Sequence, residues 1–160
     1  MIVNLRTYTG RFSIMGTLGT VKGIAVREAS RAPMKEQQQV EVTTTHGIVQ
    51  DYRGTGLRQV TFLDVGQWQE VLDALGVDLP WYTRRANVLI EGIDLPATAG
   101  RRLQIGACRF AIGGETTPCE RMEELQPGLR RVLIPGLRGG VWGKVLQGGP
   151  LRVGDNVQVL

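Results

Sequence analysis

The chain has 160 residues, 42% of them apolar, and a net charge of +4. That is enough for one domain with a substantial core, and no apolar run approaches the roughly 20 residues a membrane helix needs. Two cysteines rule out a disulfide framework and a cysteine-only zinc site, and a lone His46 without a supporting pattern argues against a Ser-His-Asp or Cys-His nucleophilic centre.

Residues 1–16 carry little pattern and lack the order of basic start, apolar block and cleavage site that a signal peptide requires. They are read as an N-terminal arm or oligomer contact of a cytoplasmic protein. Residues 19–26 read as a strand, and residues 39–45 alternate and are rich in β-branched side chains. Residues 58–63 are a third strand candidate. Val65, Trp68, Val71, Leu72 and Leu75 recur at helical spacing, and Gly76 ends that helix. Residues 87–90 form a short buried strand. Residues 100–112 alternate through Leu103, Ile105, Ala107 and Phe110 as one run, and residues 140–146 and 155–160 are closing strands. Many short strands and one or two short helices, punctuated by 22 glycines, predict a mainly β fold: a closed or nearly closed β-barrel over residues 17–160.

The most informative stretch is Gly113-Gly114-Glu115-Thr116-Thr117-Pro118-Cys119-Glu120-Arg121. It sets a thiol after a Gly-Gly turn and directly after a proline, which favours an exposed turn over a buried strand. The residues from Glu120 look like a helix start, where the backbone dipole favours a thiolate. Such a thiolate can act as a nucleophile, carry sulfur as a persulfide, or bind a soft metal. Cys108, in an alternating strand, reads as core, as does Trp68; His46 reads as an exposed loop residue. The Arg101-Arg102 and Arg130-Arg131 pairs read as solvated faces, and Gly154-Asp155 as a turn. Sixteen of the 19 cations are arginines, which suits bidentate binding of phosphate or carboxylate. They form no dense run, and aromatic residues are only 6%, which argues against a nucleic-acid-binding barrel.

Landmarks follow one another in a telling order. Pro33-Met34 comes after the first strand, then Gly47-Ile48-Val49-Gln50-Asp51-Tyr52-Arg53-Gly54, Arg58-Gln59-Val60-Thr61 leading to Trp68, and Arg84-Arg85-Ala86-Asn87-Val88. After these come Gly100-Arg101-Arg102-Leu103-Gln104-Ile105-Gly106, Pro118-Cys119, Gly139-Gly140 and Gly154-Asp155-Asn156-Val157. In this order and spacing the chain resembles a single-domain member of the MOSC family, named for the C-terminal domain of molybdenum cofactor sulfurases. The resemblance covers about residues 17–160.

It implies a compact β-barrel with a pocket for molybdenum-molybdopterin, and a metal-ligating, catalytic role for Cys119. The cofactor-binding residues it implies are Arg85 and Asn87, at the family's Arg-x-Asn positions, with Arg58, Asp51 and Thr117. Arg-x-Asn puts a fork-shaped cation and an amide on one face of a strand, and Arg58 is a second phosphate candidate. Asp51 is expected to orient a cation rather than touch an anionic ligand. The family's activities are sulfur carriage for the cofactor and, in larger relatives, reduction of N-hydroxylated compounds with an external electron donor. The alternative is a non-enzymatic carrier or regulatory module. Many relatives read Gly-Asp-Arg or Gly-Asp-x-His where this chain has Gln50-Asp51-Tyr52-Arg53, which puts Arg53 outside the expected pocket set. The sequence shows neither the N-terminal barrel of the amidoxime reducers nor a pyridoxal-phosphate lysine domain. A full cofactor cage would then call for a homodimer, no pyridoxal phosphate is expected here, and an electron-donor or cofactor-delivery protein is the expected partner.

Overall fold

The computed structural model describes residues 18–52 and 56–160. The arm expected over residues 1–16 lies outside the described residues, as does Arg53.

Eleven strands are described: β1 (Leu18–Val26), β2 (Lys35–Glu36), β3 (Gln39–Thr43), β4 (Gly47–Ile48), β5 (Val60–Asp64), β6 (Val88–Glu91), β7 (Arg102–Ile105), β8 (Cys108–Glu115), β9 (Val141–Gln147), β10 (Gly149–Arg152) and β11 (Asn156–Val159). Three short α-helices accompany them: α1 (Val65–Leu75), α2 (Glu120–Leu125) and α3 (Leu129–Leu133). Seven strands pair in the order β11-β7-β8-β9-β5-β6-β1, and β1 pairs back onto β11, so the barrel closes. Closure leaves none of the seven with a bare edge. Strands β10, β3 and β4 form a separate three-stranded sheet.

The barrel interior follows from period-two alternation. In β7 the inward residues Leu103 and Ile105 are buried with Gln104 half-buried between them, and in β3 of the second sheet Val40 and Val42 join the same core while Glu41 between them faces water. β5 is buried along nearly its whole length because it is lined on one face by the barrel core and on the other by α1. Its one parallel partner is β6, with Phe62 opposite Val88, and the crossover between them is α1 followed by a 3₁₀ turn at Trp81–Arg84. Phe62 and Phe110 meet edge-on at 5.2 Å in the middle of the barrel. A second core outside the barrel joins Trp68, Val71 and Leu72 of α1 to Leu129, Val132 and Leu133 of α3 and to Met122 of α2.

Helix α1 has the predicted bounds. Asp64 accepts from the Gly66 and Gln67 N–H groups at its start, and Gly76 closes it in the left-handed conformation with φ 67°. The run at residues 100–112 is not one strand. It folds into the β7–β8 hairpin at Gly106, where the chain reverses. Strands β2 and β4 are two residues long, β10 is four and helix α3 is five, so none carries a period long enough to read.

Gly113 and Gly114 do not make a turn: both lie inside β8. The Trp142 side chain of β9 lies across Gly113, and a methyl group there would overlap its ring. Glycine is required here by close approach rather than by chain reversal. Pro118 sits in an irregular segment, as its missing N–H favours, yet it is buried rather than exposed.

Candidate functional site

The segment from Thr116 to Cys119 leaves the end of β8 and runs into α2. Cys119 occupies the position before the helix with an extended backbone (φ -123°) and is exposed. It lies on the wall of a cavity of about 180 Å³. Twelve described residues line that cavity: besides Cys119 they include Thr116, Thr117, Met122 and five arginines, Arg27, Arg58, Arg84, Arg85 and Arg121. No carboxylate is among them.

Four segments far apart in sequence bring the arginines together. Arg27 follows the end of β1, Arg58 precedes β5, Arg84 and Arg85 end the 3₁₀ turn, and Arg121 opens α2. Arg58 lies over Trp142, with 5.5 Å from its guanidinium carbon to the ring centre, which stiffens an otherwise exposed side chain. Arg27 lies 5.8 Å from the centre of the Tyr52 ring.

Arg84 is 5% exposed and knits the site together. Its Nε donates to the Gly139 carbonyl at 3.0 Å and its Nη2 to the Thr116 carbonyl at 2.7 Å, while Nη1 reaches Met122 Sδ at 3.6 Å. Thr116 is three residues before Cys119 and Met122 three after it, so one guanidinium spans the thiol's loop. Gly139 allows this: a side chain there would overlap the Thr116 carbonyl. Arg85 stands at φ 67°, in the left-handed region, where its backbone N–H donates to the Tyr82 carbonyl and closes the turn. Its Nη2 donates to the Ala32 carbonyl at 2.8 Å and so ties in the loop after β1. The same loop is held from the other side by Arg31, whose Nη2 lies 2.7 Å from Glu124 Oε1 on α2. The hydrogen bonds from Arg31 and Arg121 hold the Glu124 carboxyl below its ordinary pKa.

Two polar atoms of this wall are left over. Thr116 Oγ1 and Arg121 Nε are buried and have no hydrogen-bond partner among the described residues. Native structures rarely leave such groups unpaired unless something else binds there.

Of the residues chosen from the sequence, Cys119, Arg58, Arg85 and Thr117 line this arginine-rich cavity. Asn87 and Asp51 stand behind it, beside a pocket of about 10 Å³ whose lining residues Arg27, Thr61 and Arg85 belong to both spaces. Asn87 Oδ1 accepts from the Thr61 N–H at 3.1 Å and from Thr61 Oγ1 at 3.2 Å, and its Nδ2 donates to the Ala25 carbonyl at 3.2 Å. The amide therefore stitches β5 to β1 beneath the cavity. Asp51 accepts from the backbone N–H of Arg27 at 3.0 Å, and the Tyr52 N–H donates to the Arg27 carbonyl at 2.8 Å, so this loop clamps the backbone that carries the cation. His46 is half-buried rather than exposed, with Nε2 at 3.0 Å from the Asp51 carbonyl. Cys108 is core, and burial pushes its thiol up to about 11.

Arg27, Arg84, Thr116 and Arg121 are site residues that sequence reasoning missed. Arg121 had a signal, two places after Cys119, and Arg84 had one as the neighbour of Arg85. Arg27 had none, because only the pairing of β1 with β6 carries it to the cavity. Among the described residues no group of three or more His, Cys, Asp or Glu side chains is placed to hold a metal. A metal here would rest on the single thiol and on ligands of its own.

In fold, the chain is similar to the YuaD protein of Bacillus subtilis, with a TM-score of 0.78 at 20% identity over 89% of this chain and 95% of that one. It is also similar to YiiM from Geobacillus stearothermophilus (TM-score 0.72, 14% identity, 89% of this chain and 75% of that one). YiiM from Escherichia coli is more distant (TM-score 0.65, 9% identity, 88% of this chain and 69% of that one). No curated protein matches the sequence. The sequence model of the MOSC domain matches residues 50–158, which hold Arg58, Arg84, Arg85, Cys119 and Arg121. That span is more than half of the chain, so this protein belongs to the MOSC domain family, a family associated with the molybdenum cofactor.

Proposed function

We propose that the cavity binds molybdenum-molybdopterin, with Cys119 as the protein's ligand to the metal. The observation that carries the reading is an exposed thiol on the wall of a cavity lined by five arginines and no carboxylate. The donor set fits the group. A soft thiolate suits a molybdenum centre already held by sulfur, and guanidinium forks suit the pterin's phosphate. The unpartnered Thr116 Oγ1 and Arg121 Nε support a polar, anionic occupant. Arg58 and Arg85 bind the anionic end, Thr117 lies beside the thiol, and Arg84 positions the Cys119 loop from behind. Asn87 and Asp51 support the floor and the Arg27 backbone.

When bound, the cofactor supplies two-electron chemistry with transfer of an oxygen or sulfur atom. The protein's own part is to present the Cys119 sulfur and to neutralise the ligand's charge in a partly closed space. Reduction of an N-hydroxylated compound is the enzymatic form of this reading, and it requires an external electron-donor protein. A cytoplasmic setting and a homodimer that completes the cage belong to the same proposal.

A carrier role is the second reading, and the size of the cavity favours it. The described walls enclose about 180 Å³, below the roughly 300–1,000 Å³ of sites that engulf a drug-sized ligand. A cofactor seated here stays partly uncovered, as handover to a partner requires. In the sulfur-carrying form, the outer sulfur of a donor persulfide passes to the Cys119 thiolate and the donor leaves as its thiolate.

The test is metal and pterin content. Protein made in a molybdenum-replete host should retain molybdenum, and pterin fluorescence should appear on acid release. Cys119→Ala should lose the metal while Cys108→Ala keeps it. Equal molybdenum in Cys119→Ala would falsify the ligand assignment. A mass increase of one sulfur atom on Cys119, with no reductase activity, would favour the carrier form.

A further inference from the structure

We infer that the outer face of strands β7, β8 and β9 is a docking surface for a partner protein that presents a cluster of carboxylates. The inference goes beyond the cofactor reading and does not depend on it.

Strand register builds the face. Directly opposed residues of an antiparallel pair project to the same side of a sheet. Arg102 stands opposite Ala111, and Ala111 opposite Lys144, so one row across the three strands sets a cation on either side of a small residue. Arg109, two residues before Ala111, belongs to the same side, and its Nε donates to Gln104 Oε1 at 3.0 Å. Trp142, two residues before Lys144, lies across Gly113, and Arg58 lies over its ring. The face therefore gathers Arg58, Arg102, Arg109 and Lys144. The one carboxylate in the three strands, Glu115, stands opposite the buried Val141 at their far end.

The lack of counter-charge sets this face apart. Elsewhere Lys22, Arg31, Lys35, Arg121, Arg130 and Arg138 each meet a carboxylate. Among the described residues none of the four cations of this face does. Neighbouring strands lie about 4.8 Å apart, so Arg102 and Lys144 rise from backbones roughly 10 Å apart and repel each other. A carboxylate seated over Ala111, between them, replaces that repulsion with two attractions. Arg58 also lines the Cys119 cavity, so a partner held on this face stands at the cavity rim.

The surface favours a protein over a nucleic-acid strand. Single strands are held by aromatic platforms on which bases stack, as well as by cations. Trp142 is the aromatic ring of this face, and Gly113 and Arg58 already lie against it. What the face offers is an array of separate cations at strand spacing, the complement of carboxylates on another folded surface.

The test uses the full chain and a fluorescein-labelled hexaglutamate peptide as probe. Anisotropy is read at moderate ionic strength, where charges beyond about 10 Å are screened. The wild type should bind the peptide, and Arg102→Glu/Lys144→Glu should bind it at least about tenfold more weakly, because two attractions become two repulsions. Arg130→Glu/Arg131→Glu makes the same change of net charge on α3 and should stay within about twofold of the wild type. Arg102→Gln/Lys144→Gln, which removes the charges without reversing them, should fall between. Circular dichroism checks that each variant is folded. Amide chemical shifts of the wild type should move in β7, β8 and β9 and around Arg58 as the peptide is added. No binding by the wild type, equal weakening in the α3 variant, or shifts centred on another face would overturn the surface. Tighter binding of a thymidine oligonucleotide with the same shifts would overturn the protein partner in favour of nucleic acid. Self-association in sedimentation that Arg102→Glu/Lys144→Glu abolishes would overturn it in favour of a second copy of this chain.

Discussion

Arg84 Nη2 donates to the carbonyl of Thr116 at 2.7 Å, and this bond links the turn before β6 to the segment that presents Cys119. The same guanidinium reaches Gly139 and Met122, so Arg84 acts as a buried peg between three loops. Truncation leaves the buried Gly139 carbonyl and the half-buried Thr116 carbonyl without their donor. Arg84→Ala should cost about 3 kcal/mol or more of unfolding free energy, since hydrogen bonds to charged groups contribute about 1.5–3 kcal/mol each. Arg84→Lys should recover part of that, as one ammonium cannot span the same acceptors. Denaturant unfolding compares the three proteins; equal midpoints would show that the loops hold themselves.

The two cysteines should separate cleanly in thiol chemistry. Cys119 is exposed, whereas Cys108 is fully buried, with Sγ at 3.4 Å from the Gly149 carbonyl. Desolvation, then Asp155 and Glu41, raises the Cys108 thiol to about 11. At pH 8 a small alkylating reagent should modify one thiol per folded chain, at Cys119, and two only after unfolding. Peptide mapping reads the site; rapid labelling of Cys108 in the folded protein contradicts this core.

Asp64 caps α1 and is half-buried, and desolvation is the main reason its carboxyl lies above the usual 3.8, against the lowering effect of its two backbone bonds. Asp64→Ala should cost about 1 kcal/mol through loss of the cap. Asp64→Asn keeps an acceptor and should stay close to the wild type at pH 7. The pH dependence follows from the raised native pKa. The native state holds this proton more tightly than the unfolded chain, so its contribution is full below 3.8 and is lost as pH rises through the native value. Wild type should therefore gain on Asp64→Asn as pH falls into that window. Thermal melts at pH 3 to 7 measure the difference, and a gap that shrinks on acidification refutes it.

Glu124 fastens the loop after β1 to α2 through Arg31 and also holds Arg121. Its carboxyl is depressed by those two hydrogen bonds. The tie is therefore complete above the ordinary 4.5 and is lost as pH falls below it, through the native value. Glu124→Gln should speed hydrogen exchange of residues 27–34 at neutral pH. Acidification should speed the same residues in the wild type and have little further effect in the variant. Salt should act in the same direction, because the pair is exposed.

Much of the fold could be read locally. α1 was legible because Trp68, Val71 and Leu72 recur at helical spacing before a closing Gly76, while the Asp64 cap emerged only in the structure. β3 was legible because Val40 and Val42 alternate with polar residues. The Gly113-Gly114 pair misled, since glycine marks both a turn and a place where another chain segment comes close. Only the Trp142 ring distinguishes the two, and it lies in another strand.

At the site, the sequence by itself determined the chemical kinds: one thiol after a proline, paired arginines at 84 and 85, and an arginine two places past the thiol. Those are properties of covalent order. Tertiary structure alone decided which of them meet. Pairing β1 with β6 draws in Arg27 and sets Asn87 behind the wall, Asp51 follows through its bond to the Arg27 N–H, and the burial of Arg84 makes it a support rather than a surface charge. The physical reason is that burial and hydrogen bonding depend on partners from 24 residues away (Asp51 and Arg27) to 62 (Asn87 and Ala25), and a local pattern holds no record of which partner arrives.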